Sequence, residues 1–301
     1  MDMPINAAAP TDPMPFALPF TLDEPPAQTA PLVFVSAHSG RSYSTEFLHS
    51  ARLDAMALRR SEDSFVDELF RAAPRLGAPL LAARFPRAFC DANREKWELD
   101  PAMFDDALPP WVNTTSARVG AGLGTIARVV GAGEAIYRRK LSFAEAQQRM
   151  ETLWQPFHDA LRALIGATLD QFGACLVIDC HSMPAGSQQG RALADAVLGD
   201  AHATACAPGV TRATEQALRD LGYAVRRNDP YAGGYITRHY GRPREDVHAL
   251  QIELSRHLYM DEALIAPSRQ FARTQAAMTS LIERLAALAP AMLEQKKGGA
   301  P

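Results

Sequence analysis

The segment Gly173-Ala-Cys-Leu-Val-Ile-Asp179 constrains the fold more than any other part of this chain. Its apolar residues are consecutive and few, and Val and Ile favour extended backbone, so it predicts a strand covered on both faces. Pro31–Ala37 reads the same way, and Leu80 to Phe85 and Tyr223–Arg227 read as further strands. In His248–Leu254 the residues Leu250, Ile252 and Leu254 share one strand face, while Gln251 and Glu253 share the other. Helical signals fall between these runs. Ser61-Glu62-Asp63 reads as an N-cap with acids in the first turn, ahead of a face made by Phe65, Leu69 and Phe70. Ser142 with Glu145 predicts a capping box that opens a helix reaching about Phe172, kinked or split at Pro156. A helix over Arg212–Leu221 should stop at Gly222, and an amphipathic helix fills the stretch from about Pro267 to Gln295. Strands that alternate with helices predict an α/β fold with a largely parallel sheet.

Length and charge bound what such a fold does. The 301 residues are 47% hydrophobic and 22% charged, enough to bury a substantial core. No apolar run approaches the ~20 residues of a membrane helix. A net charge of −3 gives no bulk electrostatic reason to bind nucleic acid. The four cysteines show no C-x-x-C spacing and are expected to be reduced and buried. The first lysine or arginine is Arg41, so residues 1–27 do not read as a secretory signal. With seven prolines and four acids they read as an extended arm, ahead of one hydrolytic domain over 28–295 and a flexible tail over 296–301. A cytoplasmic protein with neither membrane nor nucleic-acid partners is expected.

Two strands end alike, in Ala37-His38-Ser39 and Cys180-His181-Ser182. Ligands collect beyond the carboxyl ends of strands in open α/β sheets, and imidazole on a rigid strand end is a good zinc ligand. A catalytic zinc takes three protein ligands and keeps one position open. Glu46, Asp63 and Asp67 are the candidates for a carboxylate third ligand. Glu253, a charge inside an otherwise apolar strand, is either a paired structural acid or a general base held in a partly dry site. Arg87, Arg94 and Arg238 belong to arginine clusters suited to carboxylate recognition. Asn228-Asp-Pro-Tyr-Ala-Gly-Gly-Tyr235 is a glycine-containing loop that permits close approach of a substrate to backbone. Gly120-Ala-Gly122-Leu-Gly124 lacks the spacing of a dinucleotide loop, and no G-x-S-x-G elbow is present.

As an ordered set, these segments resemble the N-formylglutamate amidohydrolase family. The matching pieces are Ala37-His-Ser-Gly40, Arg87 with Asp91-Ala-Asn-Arg94, and Gly122-Leu-Gly-Thr-Ile126 with Gly133-Glu134 and Ile136-Tyr137. They continue through Asp179-Cys-His-Ser-Met-Pro184, Asn228-Asp-Pro-Tyr231, Gly233-Gly-Tyr-Ile-Thr237, Gln251-Ile-Glu-Leu-Ser-Arg256 and Leu258-Tyr-Met260, so they span nearly everything from residue 31 to about 262. That family is in turn distantly similar to zinc carboxypeptidases and other zinc exopeptidases. The resemblance implies a three-layer, phosphorylase/hydrolase-like architecture around a mixed, largely parallel sheet. It implies His38, Asp63 and His181 as zinc ligands, Asp91 as a partner behind them and Glu253 as general base; in the reaction that follows, Arg87 or the zinc would stabilise the developing oxyanion. It further implies Asn93 and Arg94 as carboxylate binders, and Arg238 and Tyr231 are the other candidate contacts for an N-acylated acidic amino acid. The carboxypeptidase H-x-x-E spacing is absent, because Arg41 stands three residues after His38.

The implied reaction is zinc-dependent hydrolysis of N-formyl-L-glutamate to formate and L-glutamate, as in histidine degradation. The alternatives are a zinc deacylase for another N-acyl amino acid, a cell-wall amidase, which the lack of a secretory signal opposes, and a metal-free binding protein on the same fold.

Overall fold

The computed structural model describes residues 18–294 apart from residues 132, 189, 190 and 193. Its centre is a seven-stranded sheet. In chain order the strands are β1 (Phe20–Asp23), β2 (Leu32–Ser36), β3 (Leu80–Ala83), β4 (Cys175–Met183), β5 (Ala196–Gly199), β6 (Val225–Arg227) and β7 (Val247–Ser255). Their spatial order is β1-β3-β2-β4-β7-β5-β6. The four central strands β3, β2, β4 and β7 are mutually parallel, while β1 and β5 join the outer edges of that block antiparallel. The class is therefore α/β with a mixed, largely parallel sheet.

The strands expected from apolar runs are present, and every residue of β2, β3, β4 and β7 is buried. Helices cover both faces, which explains why these runs do not alternate with polar residues. One face carries α5 (Phe143–Arg149) and α6 (Gln155–Phe172), packed on Val33, Val35, Val177 and Ala249. The other carries α7 (Pro208–Asp220) and α9 (Phe271–Glu294), packed with Phe34, Ile178, Leu250 and Ile252. All four cysteines are free and buried.

The capping box is as expected: Ser142 Oγ accepts from the Glu145 N–H, and the Glu145 carboxylate returns to the Ser142 N–H. The chain meets Pro156 with a single wide turn over Met150–Trp154, after which α6 begins with the proline in its first turn. A proline there lacks an N–H and crowds the carbonyl four residues back, and the wide turn leaves room for both defects.

Two expectations change. The helix expected from Ser61 starts instead at Val66, as α3 (Val66–Leu69), after Phe65 in a left-handed conformation (φ 67°). Ser61 Oγ turns back to the Leu58 carbonyl at 2.7 Å and closes the preceding helix, α2 (Ala55–Arg59). Phe20–Asp23, within the segment read as an arm, forms edge strand β1; residues 1–17 and the tail 296–301 lie outside the described residues. Strand β5 was not anticipated, because Ala196-Val-Leu-Gly199 is short and weak in β-formers, and only pairing between β6 and β7 holds it extended.

Candidate active site

On β4 the residues Val177, Asp179 and His181 share one face, and on β7 so do Ala249, Gln251 and Glu253. The parallel register sets Asp179 opposite Gln251 and His181 opposite Glu253. That face is apolar at the start of both strands and becomes polar toward their carboxyl ends. His38 lies two residues past the end of neighbouring β2, and the His38 and His181 ring centroids are 4.7 Å apart.

Both histidines turn Nδ1 toward one carboxylate. Asp63 Oδ2 lies 2.9 Å from His181 Nδ1 and 3.4 Å from His38 Nδ1. The turn carrying Asp63 is fastened to the strand end by the Asp63 N–H, which donates to the His38 carbonyl at 3.0 Å. Each ring's other nitrogen faces a second carboxylate: His38 Nε2 lies 2.6 Å from Asp91 Oδ1, and His181 Nε2 lies 2.8 Å from Asp179 Oδ1. All five residues are at most 3% exposed. His38 Nδ1 is buried with no hydrogen-bond partner, one of two such side-chain atoms among the described residues.

This donor set fits a divalent metal. One ligand atom from each of His38, Asp63 and His181 lies within 4.8 Å of the others. Two imidazoles and a carboxylate, with each imidazole backed by a carboxylate on its far nitrogen, suit zinc or a similar ion. Such an ion would also give His38 Nδ1 the partner it lacks. The electrostatics favour a cation. Burial pushes the Asp63 carboxyl up, but the hydrogen bond from His181 and the opposing charge of both histidines outweigh it and hold the group well below its usual range. Burial acts likewise on Asp91 and is outweighed by Arg94, His38 and Arg87, so it too stays ionised. His181 is held well above the usual imidazole range, because Asp179 and Asp63 overcome burial. A metal ion would take the place of that stabilised proton.

Around this cluster the other expected residues are distributed unevenly. Glu253, 8% exposed, is pushed up to about 7 by burial against the opposing charge of His181. Gln251 Nε2 donates to Glu253 Oε1 at 2.9 Å, and Gln251 Oε1 accepts the Gly234 N–H at 2.8 Å. Arg87 Nη2 donates to Asp91 Oδ2 at 2.9 Å. Arg94 gives Nε to the Leu123 carbonyl and Nη1 to the Asn93 carbonyl, and its Nη2 stands 3.7 Å from Asp91. The Asn93 amide is taken: Oδ1 accepts the Ile236 N–H at 2.7 Å, and Nδ2 lies 2.9 Å from His181 Nε2. Tyr231 and exposed Arg238 line the mouth. Glu46 is exposed on helix α1 (Thr45–Ser50), and Asp67 pairs with Arg41 at 3.2 Å, so neither approaches the histidines.

These groups face one cavity of about 400 Å³, closed on one side by Tyr231–Gly234 and on another by the segment around Leu123. The glycines near Leu123 serve packing, since a Cβ on Gly124 would stand 2.3 Å from the Glu98 carbonyl oxygen. Two residues were missed. Asp179 bonds His181 and accepts from Thr237 Oγ1 at 3.0 Å. Arg256 reaches Asp63 Oδ1 at 3.2 Å. The two-residue spacing to His181 could have flagged Asp179, while nothing local flags Arg256.

A sequence profile of the N-formylglutamate amidohydrolase family matches residues 30–260. N-formylglutamate deformylase of Pseudomonas putida is 29% identical over 238 residues, covering 77% of this chain and 82% of that protein. The Pseudomonas aeruginosa enzyme of the same name is 30% identical over 266 residues, covering 85% and 93%. The crystal structure of N-formylglutamate amidohydrolase from Ralstonia eutropha JMP134 is similar at 40% identity and a TM-score of 0.84, covering 89% of this chain and 97% of that one.

Proposed function

Because the chain belongs to the N-formylglutamate amidohydrolase family, we propose that it hydrolyses N-formyl-L-glutamate to formate and L-glutamate, with zinc held by His38, Asp63 and His181. The reading places it in the cytoplasm, in histidine degradation. The observation that carries it is the unpartnered, buried His38 Nδ1 beside Asp63 and His181, with Glu253 in register next to His181.

When bound, a divalent ion supplies an acidified water and a polarised carbonyl at neutral pH. Glu253 is the general base: it takes the proton of the attacking water and returns it to the leaving amine nitrogen. Gln251 fixes one of its oxygens and leaves the other for this transfer. Arg87, held by Asp91, offers its guanidinium to the developing oxyanion. Arg94 and Arg238 receive the two carboxylates, and Tyr231 closes the mouth over the bound chain. Asn93, assigned to the substrate by family resemblance, accepts the Ile236 N–H through Oδ1 and turns Nδ2 toward Asp179 Oδ2 at 3.5 Å, so we assign it to holding the carboxylate that backs His181.

The test is a panel of N-acyl glutamates and aspartates assayed with zinc-loaded and chelated protein. N-formylglutamate should give the highest kcat/KM, and chelation should abolish turnover. A fully loaded protein that leaves N-formylglutamate intact would overturn the reading.

A further inference from the structure

Of the three residues assigned to the metal, His181 lies within β4 and His38 two residues past the end of β2, while Asp63 sits in a connection far along the chain from any strand, just ahead of α3. Something has to hold that connection. Arg256, just past the end of β7 and 8% exposed, spends its guanidinium there. Its Nη2 donates to the Glu62 carbonyl at 2.6 Å and to Asp63 Oδ1 at 3.2 Å. Its Nη1 donates to the Arg60 carbonyl at 3.3 Å, and its Nε to Ser182 Oγ at 3.3 Å, one residue from His181. A single planar fork thus joins the Asp63 turn to the ends of the strands that carry His181 and Glu253. It occupies Oδ1 and leaves Oδ2 facing the two imidazoles.

We propose that Arg256 is the positioning residue of this centre, clamping the 60–63 turn so that Asp63 offers one oxygen, Oδ2, to the metal. The inference rests on the metal reading above. It makes a directional claim that charge alone does not. A guanidinium beside a ligand carboxylate repels an incoming cation, so an arginine acting only through its charge would weaken binding, and its removal would tighten it. An arginine acting by positioning has the opposite sign, because groups that orient metal ligands typically contribute about 10–100-fold in affinity.

The experiment titrates metal-free parent, Arg256→Met and Arg256→Lys proteins with Zn²⁺ against a competing chelator, and records visible spectra with Co²⁺ at saturation. Arg256→Met is expected to bind Zn²⁺ about 10–100-fold more weakly, with an altered Co²⁺ spectrum because Asp63 can pivot and offer both oxygens. Arg256→Lys keeps the charge but not the fork, so it should also bind more weakly, and it carries the test if the Met variant does not fold. Glu262→Gln, which removes the 3.6 Å partner of Arg256 but no contact to Asp63, should bind like the parent. Unchanged or tighter binding by the Arg256 variants overturns the proposal, as does weaker binding with the parent spectrum. A parent that binds neither ion overturns the metal reading, and this inference with it.

Discussion

Side chains at the cluster are separable by what each loses. Glu253→Gln preserves volume and the contact to Gln251 while removing the proton acceptor, so kcat should fall about 10²–10⁴-fold. KM should change far less, since the guanidinium groups proposed to hold the substrate remain. Steady-state kinetics on N-formylglutamate decide the point, and a near-normal kcat would make this strand acid structural. His38→Ala and His181→Ala should each strip the metal while leaving far-UV circular dichroism intact, as read by elemental analysis of purified protein. Full occupancy in both variants would place any metal elsewhere. Both histidines were legible as strand-end residues. Asp63 was a candidate for a different reason, as an early helical acid, whereas the structure puts it in a turn before α3 begins.

At the scale of elements, α6 is tied to the site through His158. This ring is fully buried, with Nδ1 2.8 Å from the Tyr240 hydroxyl on helix α8 (Tyr235–Tyr240) and Nε2 2.8 Å from the Ala92 carbonyl. Burial, only partly offset by the Ala92 hydrogen bond, lowers it from 6.5 to about 3. Folded His158 therefore stays neutral over a range where the unfolded chain gains a proton. Its contribution is fully present above pH 6.5 and is lost progressively as pH falls toward 3, amounting to about 2 kcal/mol by pH 5. Urea unfolding at pH 8 and pH 5 should show this loss in the parent and a smaller one in His158→Gln. Equal losses in both proteins would disprove the assignment. The helix itself was legible from its capping box and from Pro156, but no periodicity says which buried polar group a helix carries or what it meets.

For the molecule as a whole, the three residues proposed to hold the metal come from separate parts of the chain and meet only in the folded state. A metal ion that binds the folded protein and not the unfolded chain adds RT ln(1 + [M]/Kd), about 2.7 kcal/mol at a hundredfold excess over Kd. Chelation should then lower Tm by several degrees, and the His38→Ala protein should show no such shift in the same thermal melt. A parent whose Tm ignores chelator would leave the centre without a thermodynamic role. The antiparallel outer strands belong to this scale too. β1 lies within a proline-rich stretch that local composition marks as an arm, and it becomes a strand by pairing Phe20–Asp23 with Leu80–Ala83.

Local pattern in the chain was enough for the class of fold and for most of the candidate groups at its centre. Consecutive apolar residues specify strands buried on both faces, and two His-Ser pairs at strand ends, with a glutamate in a third strand, need no partner to be noticed. Tertiary structure alone decided how those groups address one another. The β4–β7 register sets Asp179 and Gln251 behind His181 and Glu253, and Arg256 reaches back 193 residues along the chain to Asp63. The physical reason is range. Periodicity and capping are local and repeat within a few residues, whereas the orientation of the Asp63 carboxylate depends on a donor 193 residues away that only the folded chain brings to it.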